Sequence, residues 1–336
     1  MGYLTDQMQD QISTTLRKIV DLYLEGYPGQ YRTMVLYQLG LDHKSVNLSV
    51  TGKRLRPLFV LLSCGIFDRD WMDALPAASA VELLHNFSLV HDDIQDSSET
   101  RRGRDTVWKK WGIPQAINTG DALLNLAYLS VFELQGMIDN ERINQILFSL
   151  QKTCMELTKG QHLDIAHETK KEIPLELYLQ MINGKTAALI SASLKIGAMV
   201  AGASTAKIKV MEKLGNSLGQ AFQIQDDYLG IWGDEKVTGK STYSDLMSKK
   251  KTYPIILGIN NKKTFSAMWS KLKVIDIENA SYLATILEEE GIRDQVCEKI
   301  ETEYKIAWRI LEQDIQTSEI RNSFVNLVKS LQSRNN

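Results

Sequence analysis

Two apolar helical segments, each ending in adjacent carboxylates, constrain this chain more than anything else in it. The first covers residues 81–96, VELLHNFSLVHDDIQD, with apolar residues at most positions up to Val90. At about 100° per residue, His85, Leu89, Asp92 and Asp96 fall on one stripe of a helix, with Asp93 beside it. Carboxylates at i, i+1 and i+4 disfavour the helix that carries them. Aspartate is a poor helix former, like charges at i,i+4 repel, and the C-terminal end of the dipole has the wrong sign. A divalent cation offsets that repulsion. Magnesium, a hard cation, takes one or two protein carboxylates and fills its remaining positions with water and substrate phosphate oxygens. Arg101 and Arg102 follow at once, with Gly103 after them, and supply the guanidinium forks that phosphate oxygens prefer.

A single acidic triplet is as readily a solvated surface as a site. A second copy shifts the balance. Residues 219–234, GQAFQIQDDYLGIWGD, again end an apolar helix in an acidic pair, with Gly219, Phe222, Gln223, Asp226 and Gly230 on one face. Two such helices facing each other would hold a diphosphate between their metal ions.

The rest of the chain reads as helix after helix. Helical periodicity covers residues 5–24, 58–67, 76–94, 114–136, 141–159, 175–200 and 207–229, then 254–260, 281–289, 292–311 and 315–332. Gly26, Pro28 and Gly29 break the first of these, and Pro57 falls in a first helical turn, where proline is tolerated. Alternating runs bounded by turns are lacking, so the pattern makes no case for a sheet. With six prolines and no long linker, the chain is expected to form one all-α domain over residues 1–336. Hydrophobic residues at 43% support a real core, and a formal charge of −2 argues against a nucleic-acid partner. Cys64, Cys154 and Cys297 lie far apart without metal-ligand spacing, as reduced thiols of a cytoplasmic protein would. The first 26 residues carry Asp6, Asp10 and Glu25 and read as neither a signal peptide nor a membrane span.

These motifs resemble the trans-isoprenyl diphosphate synthases, the polyprenyl synthetase family. Asp92, Asp93 and Asp96 match its first DDxxD motif, Arg101–Arg102–Gly103 the RRG that follows, and Gly52 to Pro57 its GKRLRP segment. Asp226 and Asp227 begin its second acidic motif, and Gly160, Gln161 and Asp164 match GQxxD. The resemblance runs from about Gly52 to Pro254 in the family's order. It implies the all-α isoprenoid synthase fold, a single domain of helices around a large central cavity, and a homodimer. It implies three Mg²⁺ ions on Asp92, Asp96 and Asp226, with Asp93 in a supporting role and Asp227 in the catalytic set. Arg101, Lys185 and Lys240 would stabilise an allylic diphosphate, joined by Thr186, Gln223 and Lys250, with Lys249 and Lys251 as neighbouring registers for the last. Lys53, Arg56, His85 and Arg102 would bind the second substrate, isopentenyl diphosphate.

The chain departs from the family pattern in one place. The second motif ends in Gly230 rather than aspartate, with Asp234 one turn further on. By the family pattern Phe87 and Ser88, five and four positions before Asp92, form the floor that limits product length. One aromatic there, with no insertion in DDIQD, resembles geranylgeranyl (C20) more than farnesyl (C15) diphosphate synthases. A terpene cyclase of the same fold, a non-catalytic partner subunit and a helical scaffold are the alternative readings. The basic residues matching the isopentenyl site argue against the first, and the two acidic motifs against the others.

Overall fold

The computed structural model describes residues 2–42, 52–168, 170, 172–233, 242–313, 315–316 and 318–333. The chain divides into two compact units. One comprises Met1–Met155, Leu189–Glu212 and Ile315–Asn326; the other comprises Glu156–Ala188, Lys213–Asp314 and Leu327–Asn336.

The first unit opens with α1 (Tyr3–Tyr23), which buries Met8, Ile12, Leu16, Ile19 and Val20 along one stripe. Gly26, at φ 81°, and Pro28 turn the chain into α2 (Gly29–Gln38). The periodicity did not predict α2, because its buried residues Met34, Val35 and Leu36 are consecutive rather than spaced by turns. In α3 (Leu55–Ile66) every residue from Pro57 to Gly65 is buried. A short 3₁₀ turn (Trp71–Ala74) leads into α4 (Leu75–Gln95), with a proline in its first turn and the small residues Ala77, Ala78, Ser79 and Ala80 inside the core. Then come two short strands, β1 (Thr100–Arg101) and β2 (Arg104–Asp105), and helices α5 (Val107–Trp111), α6 (Ile113–Phe132) and α7 (Asn140–Glu168).

Close backbone approach locks this unit. A Cβ on Gly197, in α9 (Ala188–Val200), would lie 2.2 Å from the carbonyl oxygen of Val60. Ser63 Oγ donates to Leu194 O at 2.6 Å in the same contact. Phe59 meets Phe324 of α16 (Glu319–Gln332) with ring centroids 5.6 Å apart. Gly120 of α6 lies against His91 of α4, where a Cβ would be 2.3 Å from Nε2.

The second unit contains the C-terminal part of α7, then α8 (Leu175–Ile182), a π-helical turn (Asn183–Ala187) and α10 (Thr205–Trp232) from Lys213 onward. It continues through α11 (Ser244–Met247), α12 (Tyr253–Asn260), α13 (Thr264–Lys271), α14 (Ile277–Glu289) and α15 (Ile292–Gln313). Gln225 ties these helices together: Tyr304 Oη donates to its Oε1 at 2.8 Å, and its Nε2 donates to Gln332 O at 3.1 Å.

Two expectations are corrected here. Residues 175–200 do not form one continuous α-helix; the π turn interrupts it, bracketed by Gly160, Gly184 and Gly219. A Cβ on Gly160 would lie 2.2 Å from Lys185 N, and one on Gly219 2.5 Å from Ala187 Cα. Packing at that distance selects the wider turn, and such bulges cluster at functional sites. The chain also holds a two-stranded hairpin, Thr100–Arg101 against Arg104–Asp105. Its central residues Arg102 and Gly103 have φ 53° and 72°, the pattern of a type I′ turn. Two residues per strand are too few to alternate. Among the described residues no helix is long and apolar enough to cross a membrane.

The contact at Gly197 makes a direct prediction. Gly197→Ala should lower stability by about 1–3 kcal/mol or more, because the added methyl meets backbone that has no rotamer to yield. Gly29→Ala, at an open position with negative φ, should be neutral or stabilise by up to about 1 kcal/mol. Urea denaturation of both variants checks the contrast.

Candidate active site

In the first unit α4 carries its acids at its C-terminal end. Asp92 is half-exposed, Asp96 is exposed and Asp93 is buried. Arg101 holds Asp93 in a bidentate pair: Nη2 donates to Oδ1 at 2.7 Å, and Nε lies 2.9 and 3.1 Å from the two oxygens. Burial raises the Asp93 pKa, Arg101 opposes that, and Asp96 adds to it. The loop after the helix is fixed by Ser98 O, which accepts from Thr106 Oγ1 at 2.8 Å and Trp108 Nε1 at 2.9 Å. Arg101 therefore leaves a braced hairpin, and Asp93 is the buried, paired member of the acidic pair.

One turn and more towards the N-terminus of α4, the basic segment meets the helix. Arg56 Nη1 donates to His85 Nε2 at 3.2 Å, which puts the imidazole proton on Nδ1 because a guanidinium only donates. Burial, then Arg56, Arg102 and Arg101, drive the His85 pKa well below its ordinary value. Burial likewise lowers Arg56 to about 10, partly offset by Glu82. Gly52, at φ 70°, faces the flat of the Arg102 guanidinium; a Cβ there would sit 2.7–2.9 Å from Cζ and both Nη atoms. Arg54 is structural. Its φ is 45°, it is buried, and its guanidinium donates to Ser13 Oγ and to Leu39 O. Lys53 is exposed, its carbonyl accepting from Gln9 Nε2 at 2.9 Å.

Glu82 is a charged residue that the sequence reading missed. It is buried on α4 one turn before His85, and Asn86 Nδ2 donates to its Oε1 at 3.1 Å. Burial raises its pKa, against the pull of Arg54, Arg102 and Arg56. The signal was present as a lone acid inside an apolar run, and such an acid requires cationic partners.

In the second unit the acidic pair of α10 splits the same way. Asp226 is half-exposed and Asp227 is buried. Tyr178 Oη and Tyr253 N (2.9 Å) both donate to Asp227 Oδ2, and Gln223 Nε2 donates to Oδ1 at 3.1 Å. Thr186 Oγ1 donates to Gln223 Oε1 at 2.6 Å, extending the chain to the π turn. Burial pushes Asp227 up to about 6, although the hydrogen bonds from Tyr178 and the Tyr253 backbone oppose it. Tyr178 escaped the sequence reading because its partner is 49 positions away. Lys185 Nζ pairs with Asp164 Oδ2 at 2.5 Å. Gln161 is buried, and its side-chain amide has no hydrogen-bond partner among the described residues. Gly230 leaves room for the Asp245 carboxylate: a Cβ at 230 would lie 2.1 Å from Oδ2. Lys240, with Gly239 and Asp234, lies outside the described residues.

Among the described residues no three His, Cys, Asp or Glu side chains converge to enclose a cation. Half-exposed Asp92 and exposed Asp96 in the first unit, and half-exposed Asp226 in the second, each offer hard oxygens, the donor type that magnesium takes when it completes its shell with water and phosphate. Phe87 and Ser88, expected from the family pattern to limit product length, lie on α4 before the acids. Phe87 is buried edge-to-face on His91 with centroids 4.7 Å apart, and Ser88 Oγ donates to His85 O at 2.8 Å.

The chain is similar in sequence and fold to known proteins. The family model for polyprenyl synthetase matches residues 42–288. A (2E,6E)-farnesyl diphosphate synthase of Mycobacterium tuberculosis is 40% identical over 247 residues, 73% of this chain and 66% of that protein's length. A geranylgeranyl diphosphate synthase of the same organism is 38% identical over 263 residues, 76% of this chain and 74% of the relative. The crystal structure of geranylgeranyl pyrophosphate synthetase from Pyrococcus horikoshii matches with a TM-score of 0.88 and 32% identity over 98% of each chain.

Tyr178→Phe should cost about 1–3 kcal/mol by removing a donor from the buried Asp227 carboxylate while leaving the ring in place. Chemical denaturation followed by circular dichroism measures it; an unchanged midpoint would remove Tyr178 from the network.

Proposed function

The chain belongs to the polyprenyl synthetase family and has its all-α isoprenoid synthase fold, and on that premise we propose that it is a short-chain trans-prenyltransferase. It joins isopentenyl diphosphate to an allylic diphosphate and lengthens it by five carbons. The observation that carries this reading is the basic nest in which Arg56 of α3 and Arg102 of the hairpin turn flank His85, which stands on the same helix as the first acidic motif. A cyclase ionises one diphosphate and has no use for a second anion site.

Asp92, Asp96 and Asp226 would hold magnesium, three ions being expected, and the metal would supply Lewis-acid stabilisation of the charge on the leaving diphosphate. Arg101, Lys185, Lys240 and Lys250 add cationic stabilisation to the same group, where charge develops as the allylic C–O bond breaks. Thr186 and Gln223 are proposed to contact that substrate. Lys53, Arg56, His85 and Arg102 hold isopentenyl diphosphate so that its alkene attacks the allylic carbon as the C–C bond forms. A proton then leaves the adduct for the departing diphosphate. No side-chain nucleophile takes part.

We read the product as geranylgeranyl diphosphate, with farnesyl diphosphate as the alternative; the matched relatives include synthases of each name. We also read the chain as one polyprenyl synthetase domain, since the family model crosses both units. A homodimer is supported by apolar side chains left exposed on α6 and α7, among them Ile113, Ile117, Phe132, Phe148 and Met155. The free thiols Cys64, Cys154 and Cys297 support a cytoplasmic location.

Incubation with Mg²⁺, labelled isopentenyl diphosphate and C5, C10 or C15 allylic primers should give a labelled C20 alcohol after dephosphorylation, abolished by EDTA. Accumulation at C15 would make the farnesyl reading correct, and unlabelled cyclic hydrocarbon would overturn the prenyltransferase assignment. Phe87→Ala should lengthen the products. An unaltered product profile from a folded variant would exclude Phe87 as the floor.

A further inference from the structure

Three consecutive lysines, Lys249, Lys250 and Lys251, follow α11 in the second unit. Family resemblance gives one of them a diphosphate-binding role without settling the register. Their backbone ends α11 in a Schellman motif: Lys249 N donates to Leu246 O at 3.1 Å and Lys250 N to Asp245 O at 3.0 Å. Lys249 therefore takes the left-handed position, φ 53°, where glycine is unstrained and lysine is not.

The outer two side chains are both committed to helix ends. Lys249 Nζ donates to Leu272 O at 2.5 Å and Trp269 O at 3.3 Å, the terminal carbonyls of α13, and lies 4.9 Å from the Trp269 ring centroid. Lys251 Nζ donates to His167 O at 2.9 Å and Glu168 O at 2.6 Å, the last two residues of α7. These carbonyls have no intrahelical donor, and each lies at the negative end of a helix dipole, where an ammonium is favoured. Lys250 differs. Burial tends to lower its pKa, but Asp227, Asp245, Asp164 and Asp226 together raise it, so its ammonium lies in the field of the acidic end of α10. Just beyond the triplet, Tyr253 N on Asp227 fixes the backbone again.

We propose that Lys249 and Lys251 are positioning residues, struts anchored on the C-terminal ends of α13 and α7 that hold the triplet in the one register presenting Lys250 to the allylic diphosphate. The inference rests on the functional reading above, and it adds two residues to the machinery that contact no substrate. A lysine side chain has four rotatable bonds, so its ammonium is aimed only as well as its backbone is held.

The test compares Lys249→Gly, Lys251→Gln, Lys251→Arg and Lys250→Gln in the full-length protein. Calorimetry reads binding of inorganic diphosphate with Mg²⁺, steady-state kinetics read KM for the allylic substrate, and urea denaturation reads stability. Lys249→Gly keeps the turn and relieves its strain, so stability should be kept or raised. Diphosphate should nevertheless bind about tenfold more weakly, the scale of one charge-assisted hydrogen bond. Lys251→Gln should weaken it similarly and raise KM more than it lowers kcat, while Lys251→Arg, still able to donate to both carbonyls, should restore binding. Lys249→Gly carries the test even where Lys251→Gln loosens the fold. If Lys250→Gln weakens diphosphate binding while Lys249→Gly and Lys251→Gln bind it as the parent does, the struts are wrong and the role of Lys250 stands. If Lys250→Gln itself binds diphosphate normally, that role fails and the struts with it.

Discussion

An ionised carboxylate inside a protein is costly unless donors surround it, and both acidic helices here answer that constraint in the same way. In each DD pair the second aspartate is buried and tied to the protein. Asp93 is gripped by Arg101, and Asp227 by Tyr178, Gln223 and the backbone of Tyr253. The first aspartate of each pair, Asp92 or Asp226, is half-exposed. One acid anchors the helix end and its neighbour is presented. The anchoring also orders chain beyond the helix, because Arg101 braces the hairpin that carries Arg102, and Tyr253 begins α12 just after the lysine triplet.

Glycines perform the complementary task of bringing backbone close to functional groups. Gly52 lets the Arg102 guanidinium lie flat against the chain, and Gly120 admits the Nε2–Cδ2 edge of His91, which meets Phe87 edge-to-face. Gly160, Gly184 and Gly219 seat the π turn from which Lys185 reaches Asp164 and Thr186 reaches Gln223. At each point a methyl group would fall inside contact distance, so the geometry of the charged groups depends on side chains that are absent. Gly230, which breaks the family's second motif, belongs to this set because it admits the Asp245 carboxylate.

Much of the fold was legible from periodicity. The long helices α1, α4, α6, α7, α10, α15 and α16 lie where their apolar stripes place them. The misses have physical causes. Helices α2, α5, α11 and α13 are too short for a period to emerge, or bury consecutive residues. The π turn comes from packing between helices rather than from local propensity, and the residues inside it, Asn183 to Ala187, carry no breaker beyond Gly184. Of the candidate site, the acids and bases were found through motifs and spacing, whereas Glu82 and Tyr178 were not, since only burial reveals that each must have partners.

What the amino-acid order determined by itself is the inventory: helices from 3.6-residue patterning, carboxylates at their C-terminal ends, and basic residues in the family's order. Those features arise from interactions within a turn or two of chain. The tertiary structure alone decided the division of labour among adjacent like residues. Asp226 and Asp227 are identical as residues, and so are Lys249, Lys250 and Lys251. What separates them is a tyrosine 49 positions away, a carbonyl 84 away and another 23 away. Partners at that separation leave no periodic trace in a sequence, because only the folded chain brings them within hydrogen-bonding distance.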